Sequence, residues 1–277
     1  MAPYSVLVTG ANRGIGLGLV KQFLKNKDIK HVIATTKEST DKVSNEPHLE
    51  WNKFQLCPFL GKPNSRQPRG SAGLKEISDK RLKVVELDLS CDNSIKNMYP
   101  QVEKIVGDHG LNVLLNNAGI FVSYTTNQKP DRGALIKNFD TNAASVAVLT
   151  QTLLPLIRKA AKQSQSDEFS IDRAAILSIS ASIGSISENT AGSGNPGLLA
   201  YRISKAALNA LMRTLAVDLE KDRILVANFN PGWVETAIGG KQATMTVDEA
   251  TERLVPSFYK LTKEHNGGFF EADLKPI

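Results

Sequence analysis

Short apolar runs alternate with longer amphipathic stretches along most of the chain. The runs VLV at 6–8, VIA at 32–34 and VLL at 113–115 contain no polar residue. Strands of a parallel sheet are buried on both faces and read as continuous hydrophobic runs, whereas helices covering the sheet carry apolar residues at a period of 3.6. The alternation therefore predicts βαβ units around a parallel sheet.

The pattern predicts a definite series of elements. The predicted strands span 4–9, 31–36, 82–87, 112–116, 173–180, 223–229 and 268–270. The predicted helices span 14–26, 93–108, 132–162, 199–221 and 247–262. Together they predict an α/β fold over 1–277: a single doubly wound Rossmann-type domain with a seven-stranded, mainly parallel sheet and helices on both faces.

One segment interrupts this alternation between the second and third predicted strands. It contains four prolines and the tract GKPNSRQPRGSAG. A loop of that length in a compact domain is either functional or poorly ordered. We expect a flexible insertion at about 44–74, and the sequence leaves open whether it has a function.

The composition narrows the possible partners. The 34 basic and 28 acidic residues give a net charge of +6, which suits an anionic ligand but also a solvated face. No basic run with interleaved aromatics points to nucleic acid. Cys57 and Cys91 have no metal-ligand spacing and form no disulfide framework, so we expect no metal and a reducing compartment. Without a signal peptide or an apolar run long enough for a membrane span, a cytoplasmic protein of open oligomeric state is expected.

The stretch TGANRGIG at 9–16 follows a predicted strand and opens a predicted helix. In that context glycines have separate uses. Gly10 allows a tight turn, Gly14 lets the backbone approach a pyrophosphate at the helix N-terminus, and Gly16 allows close packing of helix on strand. The stretch predicts a dinucleotide site, although its spacing is GxxxGxG rather than GxGxxG.

The end of the second strand indicates which dinucleotide is bound. An NAD site usually has an acidic residue there to accept from the ribose 2′-hydroxyl. This chain instead has Lys37, and Arg13 in the glycine stretch offers a second cation. Both can pair with a 2′-phosphate, so NADP (NADPH) is expected, with NAD as the alternative because Glu38 is adjacent.

The stretch YRISK places Tyr201 and Lys205 at i and i+4, on one face of a predicted helix. A free tyrosine has a pKa near 10, and a nearby ammonium group favours the phenolate. Tyr201 is therefore a candidate acid/base residue whose pKa we expect Lys205 and a positively charged nicotinamide to lower.

Four motifs occur in a fixed order: TGANRGIG, NNAG at 116–119, YRISK at 201–205 and PGWVET at 231–236. In that order and at those distances they resemble the short-chain dehydrogenase/reductase family. The runs NRGIGLGLVK, LNVLLNNAGI, AYRISKAALNA and NPGWVET are most similar to the sniffer-type carbonyl reductases, which are similar to bacterial C-factor. The resemblance covers nearly the whole chain outside the insertion.

The resemblance implies roles for further residues. Asp88 is expected to contact the adenine, and Asn142, in FDTNAAS, to hold a water against Lys205. The residues expected to bind the cofactor are Gly10, Asn12, Arg13, Gly14, Ile15, Gly16, Lys37, Asp88, Asn116, Ala118, Gly119, Tyr201, Lys205, Pro231, Gly232, Val234 and Thr236.

The family pattern Ser-x-x-Gly at the end of the fifth strand is altered. In such members the serine binds the substrate carbonyl oxygen beside the tyrosine, but counting back three from Gly184 gives Ala181. On a regular strand the neighbouring serines point away from that face. Ser182 stands where the strand should end and can turn inward, whereas Ser180 has less freedom. Three alternatives remain: Ser182, Ser180, or no serine.

These features predict an NADPH-dependent oxidoreductase that reduces the carbonyl group of an aldehyde, ketone or quinone. The expected catalytic residues are Tyr201 as proton donor, with Lys205, Asn142 and Ser182. A rival interpretation is a cofactor-binding regulator with weak or no turnover, which the alanine at 181 favours. The sequence does not identify the substrate.

Overall fold

Seven parallel strands form the centre of the protein, which the computed structural model describes over residues 1–37 and 72–277. The strands are β1 (Ser5–Val8), β2 (His31–Thr36), β3 (Leu82–Glu86), β4 (Val113–Asn116), β5 (Ala175–Ile179), β6 (Leu225–Asn230) and β7 (Phe269–Glu271). Their order in the sheet is β3-β2-β1-β4-β5-β6-β7. From β1 the chain adds strands toward one edge of the sheet, and from β4 it adds them toward the other edge. Doubly wound folds bind ligands beyond the carboxyl ends of the strands at this switch point between β1 and β4.

Helices cover both faces of the sheet. They are α1 (Gly14–Lys25), α2 (Ala72–Lys75), α3 (Asp92–Val106), α4 (Arg132–Phe139), α5 (Ser145–Gln163), α6 (Leu199–Asp218) and α7 (Val247–Phe258). Alternate residues of β1 enter different cores: Val6 and Val8 pack with the apolar residues of α1 and α7, and Leu7 with those of α3, α5 and α6. The predicted doubly wound fold is confirmed, and every strand pairing of the sheet is parallel.

The predicted helix over 132–162 is wrong in one respect. A π-helical turn at Asp140–Ala144 separates α4 from α5. Such a turn adds a residue to one helical turn and changes which side chains share a face beyond it. The apolar periodicity continues through it, so the hydrophobic pattern alone gives no sign of the break.

Most of the predicted insertion at 44–74 lies outside the described residues. Its last three residues belong to α2, where Leu74 is buried in the core beside α1. The expected insertion therefore stays a prediction. Within 1–37 and 72–277, no helix is both long and apolar enough to cross a membrane.

Candidate active site

The glycine stretch forms a turn that side chains could not fit. Gly10 has φ +62°, and a Cβ there would lie 2.9 Å from the Ala118 Cα. A Cβ on Gly16 would collide with the Gly10 carbonyl oxygen and lie 2.5 Å from Asn117 Nδ2. Because α1 begins at Gly14, its first N–H groups have no acceptor within the helix, and the positive end of its dipole lies at this turn. The turn and the helix N-terminus together can hold a pyrophosphate.

Asn117 and Thr9 fix the glycine turn to the end of β4. The Thr9 hydroxyl accepts hydrogen bonds from the backbone N–H groups of Asn117 and Ala118, each at 3.0 Å. The Asn117 side chain donates to the Thr9 carbonyl at 2.9 Å. Sequence reasoning missed both residues, although the second asparagine of NNAG and the threonine before Gly10 were available as signals.

Asn116, the last residue of β4, carries an unsatisfied amide. Its side chain is 3% exposed, and neither its nitrogen nor its oxygen has a hydrogen-bond partner among the described residues. A buried amide without partners costs free energy, so a bound group that pairs with it is favoured. Asn116 thus carries a buried amide without a partner at the end of β4, and its expected contact with the cofactor stays a prediction.

Lys37 and Asp88 meet beyond the ends of β2 and β3. Lys37 Nζ lies 2.7 Å from Asp88 Oδ2, and Asp88 Oδ1 accepts from the backbone N–H and hydroxyl of Ser90. Burial raises the pKa of Asp88, but the hydrogen bonds from Lys37 and Ser90 outweigh it and lower the pKa overall. Both Asp88 oxygens are thus engaged, while the lysine, 64% exposed, keeps further donors available. Arg13 is exposed at the N-cap of α1.

The PGWVET stretch folds over the glycine turn. Gly232 has φ +84°, and Val234 is buried and forms a parallel bridge with Met245. Thr236 contacts the turn directly, since its Cγ2 would be 3.4 Å from a Cβ on Gly14. The structure therefore brings Thr236 to the N-terminus of α1, while the contacts expected from the resemblance, of Val234 and Thr236 with the carboxamide and pyrophosphate, stay a prediction.

Tyr201 and Lys205 lie on adjacent turns of α6, facing the end of β5. Lys205 Nζ donates to the Ile179 carbonyl at 2.9 Å and lies 5.6 Å from the centre of the Tyr201 ring. Tyr201 keeps part of its surface exposed, yet burial raises the pKa of its phenol to about 12. Burial also lowers the pKa of Lys205 to about 8. The expectation that Lys205 lowers the Tyr201 pKa is wrong for the protein alone, because desolvation dominates.

Asn142 lies in the π-helical turn, 1% exposed. Its side chain accepts from the Ile120 N–H at 2.8 Å and donates to the Ile120 carbonyl and to the Ser204 hydroxyl. Ser204 in turn donates to the Tyr201 carbonyl at 2.7 Å, a link that sequence reasoning missed. A Cβ on Gly119 would lie 3.1 Å from Asn142 Oδ1 and 3.9 Å from Lys205 Nζ, so Gly119 separates these two groups.

The serines after β5 have different surroundings. The Ser180 hydroxyl, 2% exposed, donates to Asn209 Oδ1 at 2.6 Å and is held against α6. Ser182 is partly exposed and begins a 3₁₀ turn at Ser182–Gly184, and its hydroxyl makes no hydrogen bond to another described residue. Gly184 lets this turn pack against α6, since a Cβ there would be 2.8 Å from Lys205 Cβ. The strand ends before Ser182, as expected, so its side chain is not fixed by the sheet.

Comparisons with known proteins find relatives with the same fold. The family described as short chain dehydrogenase matches residues 63–246. A solved structure described as the carbonyl reductase Sniffer of Caenorhabditis elegans is 43% identical, with a TM-score of 0.83, and the match covers 100% of this chain and 99% of that one. An NADPH-bound carbonyl reductase from chicken fatty liver is 30% identical, with a TM-score of 0.83 and coverages of 100% and 94%. The C-signal protein of Myxococcus xanthus is 30% identical over 58% of this chain and 88% of its own length.

Proposed function

Because the chain belongs to the short-chain dehydrogenase family, we propose that it is an NADPH-dependent carbonyl reductase in which Tyr201 donates the proton. Membership makes the chain an oxidoreductase related to carbonyl reductases. The observation that carries the proposal is the pair formed by the partly exposed Tyr201 and the buried Lys205 at the end of β5. The proposed substrate is an aldehyde, a ketone or a quinone.

The residues present fit the proposed cofactor. The glycine turn and the N–H groups of α1 would hold the pyrophosphate, with Thr236 beside them. Lys37 and Arg13 would pair with the 2′-phosphate, and the unsatisfied amide of Asn116 would gain a partner at the switch point. When bound, NADPH supplies the hydride that the carbonyl carbon receives.

The chain's own residues supply the proton and the alignment. The raised pKa of Tyr201 keeps its phenol protonated at neutral pH, which suits donation to the carbonyl oxygen. Lys205 would also bind ribose hydroxyls, and Asn142 would hold a water that connects Lys205 to solvent. Ser182, whose hydroxyl is not committed elsewhere among the described residues, would donate a second hydrogen bond to the same oxygen.

The test is NADPH consumption with a panel of reactive aldehydes, diketones and quinones. Tyr201→Phe keeps the ring but removes the proton, so turnover should fall at least about a hundredfold while NADPH still binds. Tyr259→Phe is the matched control, because burial also raises the pKa of Tyr259, which contacts Asn26 at the far end of α1. NADPH binding without turnover on any panel member would favour a regulator instead.

A further inference from the structure

The segment 120–124 passes from the end of β4 between α4 and the start of α6. Its alternate residues Ile120, Val122 and Tyr124 have both their N–H and their carbonyl hydrogen-bonded. Tyr124 uses ordinary backbone partners: its N–H donates to the Gly197 carbonyl at 2.7 Å, and its carbonyl accepts from the Leu199 N–H at 3.1 Å. In an extended chain these alternate groups point to the same side, as in a strand facing its neighbour.

Two asparagine side chains supply the partners of the other two residues. Asn142 accepts from the Ile120 N–H at 2.8 Å and donates to its carbonyl at 2.9 Å. Asn138 does the same for Val122, at 3.2 Å and 3.0 Å. A carboxamide carries the same donor and acceptor as a peptide group, so the two side chains take the place of a neighbouring strand.

Asn138 is fixed as firmly as Asn142. Its side chain is fully buried, and its nitrogen also donates to the Ala134 carbonyl of α4 at 2.9 Å. The amide therefore has partners for its oxygen and for both of its hydrogens, which leaves it no alternative orientation with equal bonding. Through Asn138 the position of Val122 is set directly by α4.

Phe121 lies between the two residues held in this way. Its ring packs edge to face against Tyr201, with 5.6 Å between ring centroids and an interplanar angle of 74°. We infer that Asn138 is a positioning residue: together with Asn142 it holds 120–122 so that Phe121 keeps the Tyr201 ring in place for proton transfer. This inference rests on the proposed function for its effect on turnover, but not for the hydrogen bonds themselves.

The first test compares two buried asparagines. Asn138→Ala should lower kcat about tenfold, since small displacements of a catalytic group have large effects on rate, and should leave the dissociation constant of NADPH unchanged. Asn112→Ala is the matched control. Asn112 is also buried and bonds Ser5, Asp172 and Arg173, but it directly precedes β4, at the opposite end of the strands from the site. It should lose thermal stability and keep its kcat when assayed well below its unfolding midpoint.

The second test asks whether Asn138 acts through Phe121. Phe121→Leu should lower kcat by a similar factor, and the double variant should be no slower than the slower single variant, because both changes release the same ring. If the losses of kcat in the two single variants multiply in the double variant, Asn138 acts by another route and the inference is overturned. Asn138→Asp keeps the side-chain shape but loses the donated bonds, and it replaces Asn138→Ala if that variant does not fold.

A measurement independent of turnover separates this inference from the proposed function. In amide hydrogen exchange, Asn138→Ala should expose the Val122 N–H and leave Ile120, held by Asn142, protected. An unchanged Val122 exchange rate, or an unchanged kcat in both Asn138 variants, overturns the inference. If the native protein lacks carbonyl reduction, the proposed function fails, and the exchange result alone decides whether Asn138 holds the segment.

Discussion

Lys37 offers the sharpest test of cofactor choice. We predict that Lys37→Ala reduces the preference for NADPH over NADH, because the lysine follows the end of β2, where a 2′-phosphate would lie. Its present partner is Asp88, with the charged atoms 2.7 Å apart. An ammonium group has three donors, so Lys37 can keep that bond and still reach a phosphate.

The size of the change in cofactor preference follows from the solvent exposure of Lys37. Two unit charges about 4 Å apart interact by about 1 kcal/mol in water and about 4 kcal/mol at an effective dielectric constant near 20. Lys37 exposes 64% of its side chain, which places it near the water limit. A loss of about 1–2 kcal/mol corresponds to roughly a five- to thirtyfold change in the ratio of dissociation constants. Loss of the exposed pair with Asp88 should cost about 0–1 kcal/mol of stability, so the variant should stay folded.

Calorimetric titration of both cofactors at low and high salt is the assay. The preference for NADPH over NADH should shrink as the salt concentration rises in the native protein. It should change less in Lys37→Ala, because the charge that this variant lacks is solvent-exposed and screened by salt. Lys25→Ala is the matched control: Lys25 is 63% exposed and pairs with Glu252 at 3.2 Å, near the C-terminal end of α1. Asp88→Asn removes an anion beside the phosphate and should move the ratio the opposite way. Equal affinities in the native protein, or a ratio unaffected by Lys37→Ala, would refute the reasoning.

Two further predictions concern turnover. Ser182→Ala should cut kcat about tenfold or more with NADPH binding intact, whereas Ala181→Ser should change kcat little. Native turnover in Ser182→Ala would show that Ser182 has no part in the mechanism. A higher kcat in Ala181→Ser would assign the role to position 181. Turnover should also fall as pH rises through about 8, because Lys205 is charged below its lowered pKa and neutral above it, while Tyr201 stays protonated. A kcat profile that is flat to pH 10 would contradict the role given to Lys205.

The strands β1, β2 and β4 could be predicted because each contains a continuous apolar run. The prediction for β2 matches at both ends, β1 is one residue shorter than predicted at each end, and β4 is one residue shorter at its start. Burial on both faces leaves no polar residue within such a run to blur its limits. The pairing of Tyr201 with Lys205 could be predicted for a similar reason, since spacing along a helix fixes which side chains are neighbours.

Contacts between distant segments could not be predicted in this way. The apolar pattern of residues 132–162 predicts one continuous helix and does not indicate the π-helical turn. The contact of Asn138 with Val122 depends on how α4 meets a loop that has no regular structure. The ion pair of Lys37 with Asp88 likewise depends on the parallel pairing of β2 with β3, which brings their ends together.

The Tyr201 pKa reveals a competition that a motif does not express. Proximity to Lys205 favours the phenolate, but the same packing that brings the two together removes water from both and disfavours either charge. Because burial raises the pKa to about 12, the phenol is protonated at neutral pH. Donation of a proton needs the common form, whereas oxidation of an alcohol needs the rare one and a further cation close by to stabilise it. The burial of Tyr201 is therefore compatible with the proposed role of its phenol as a proton donor.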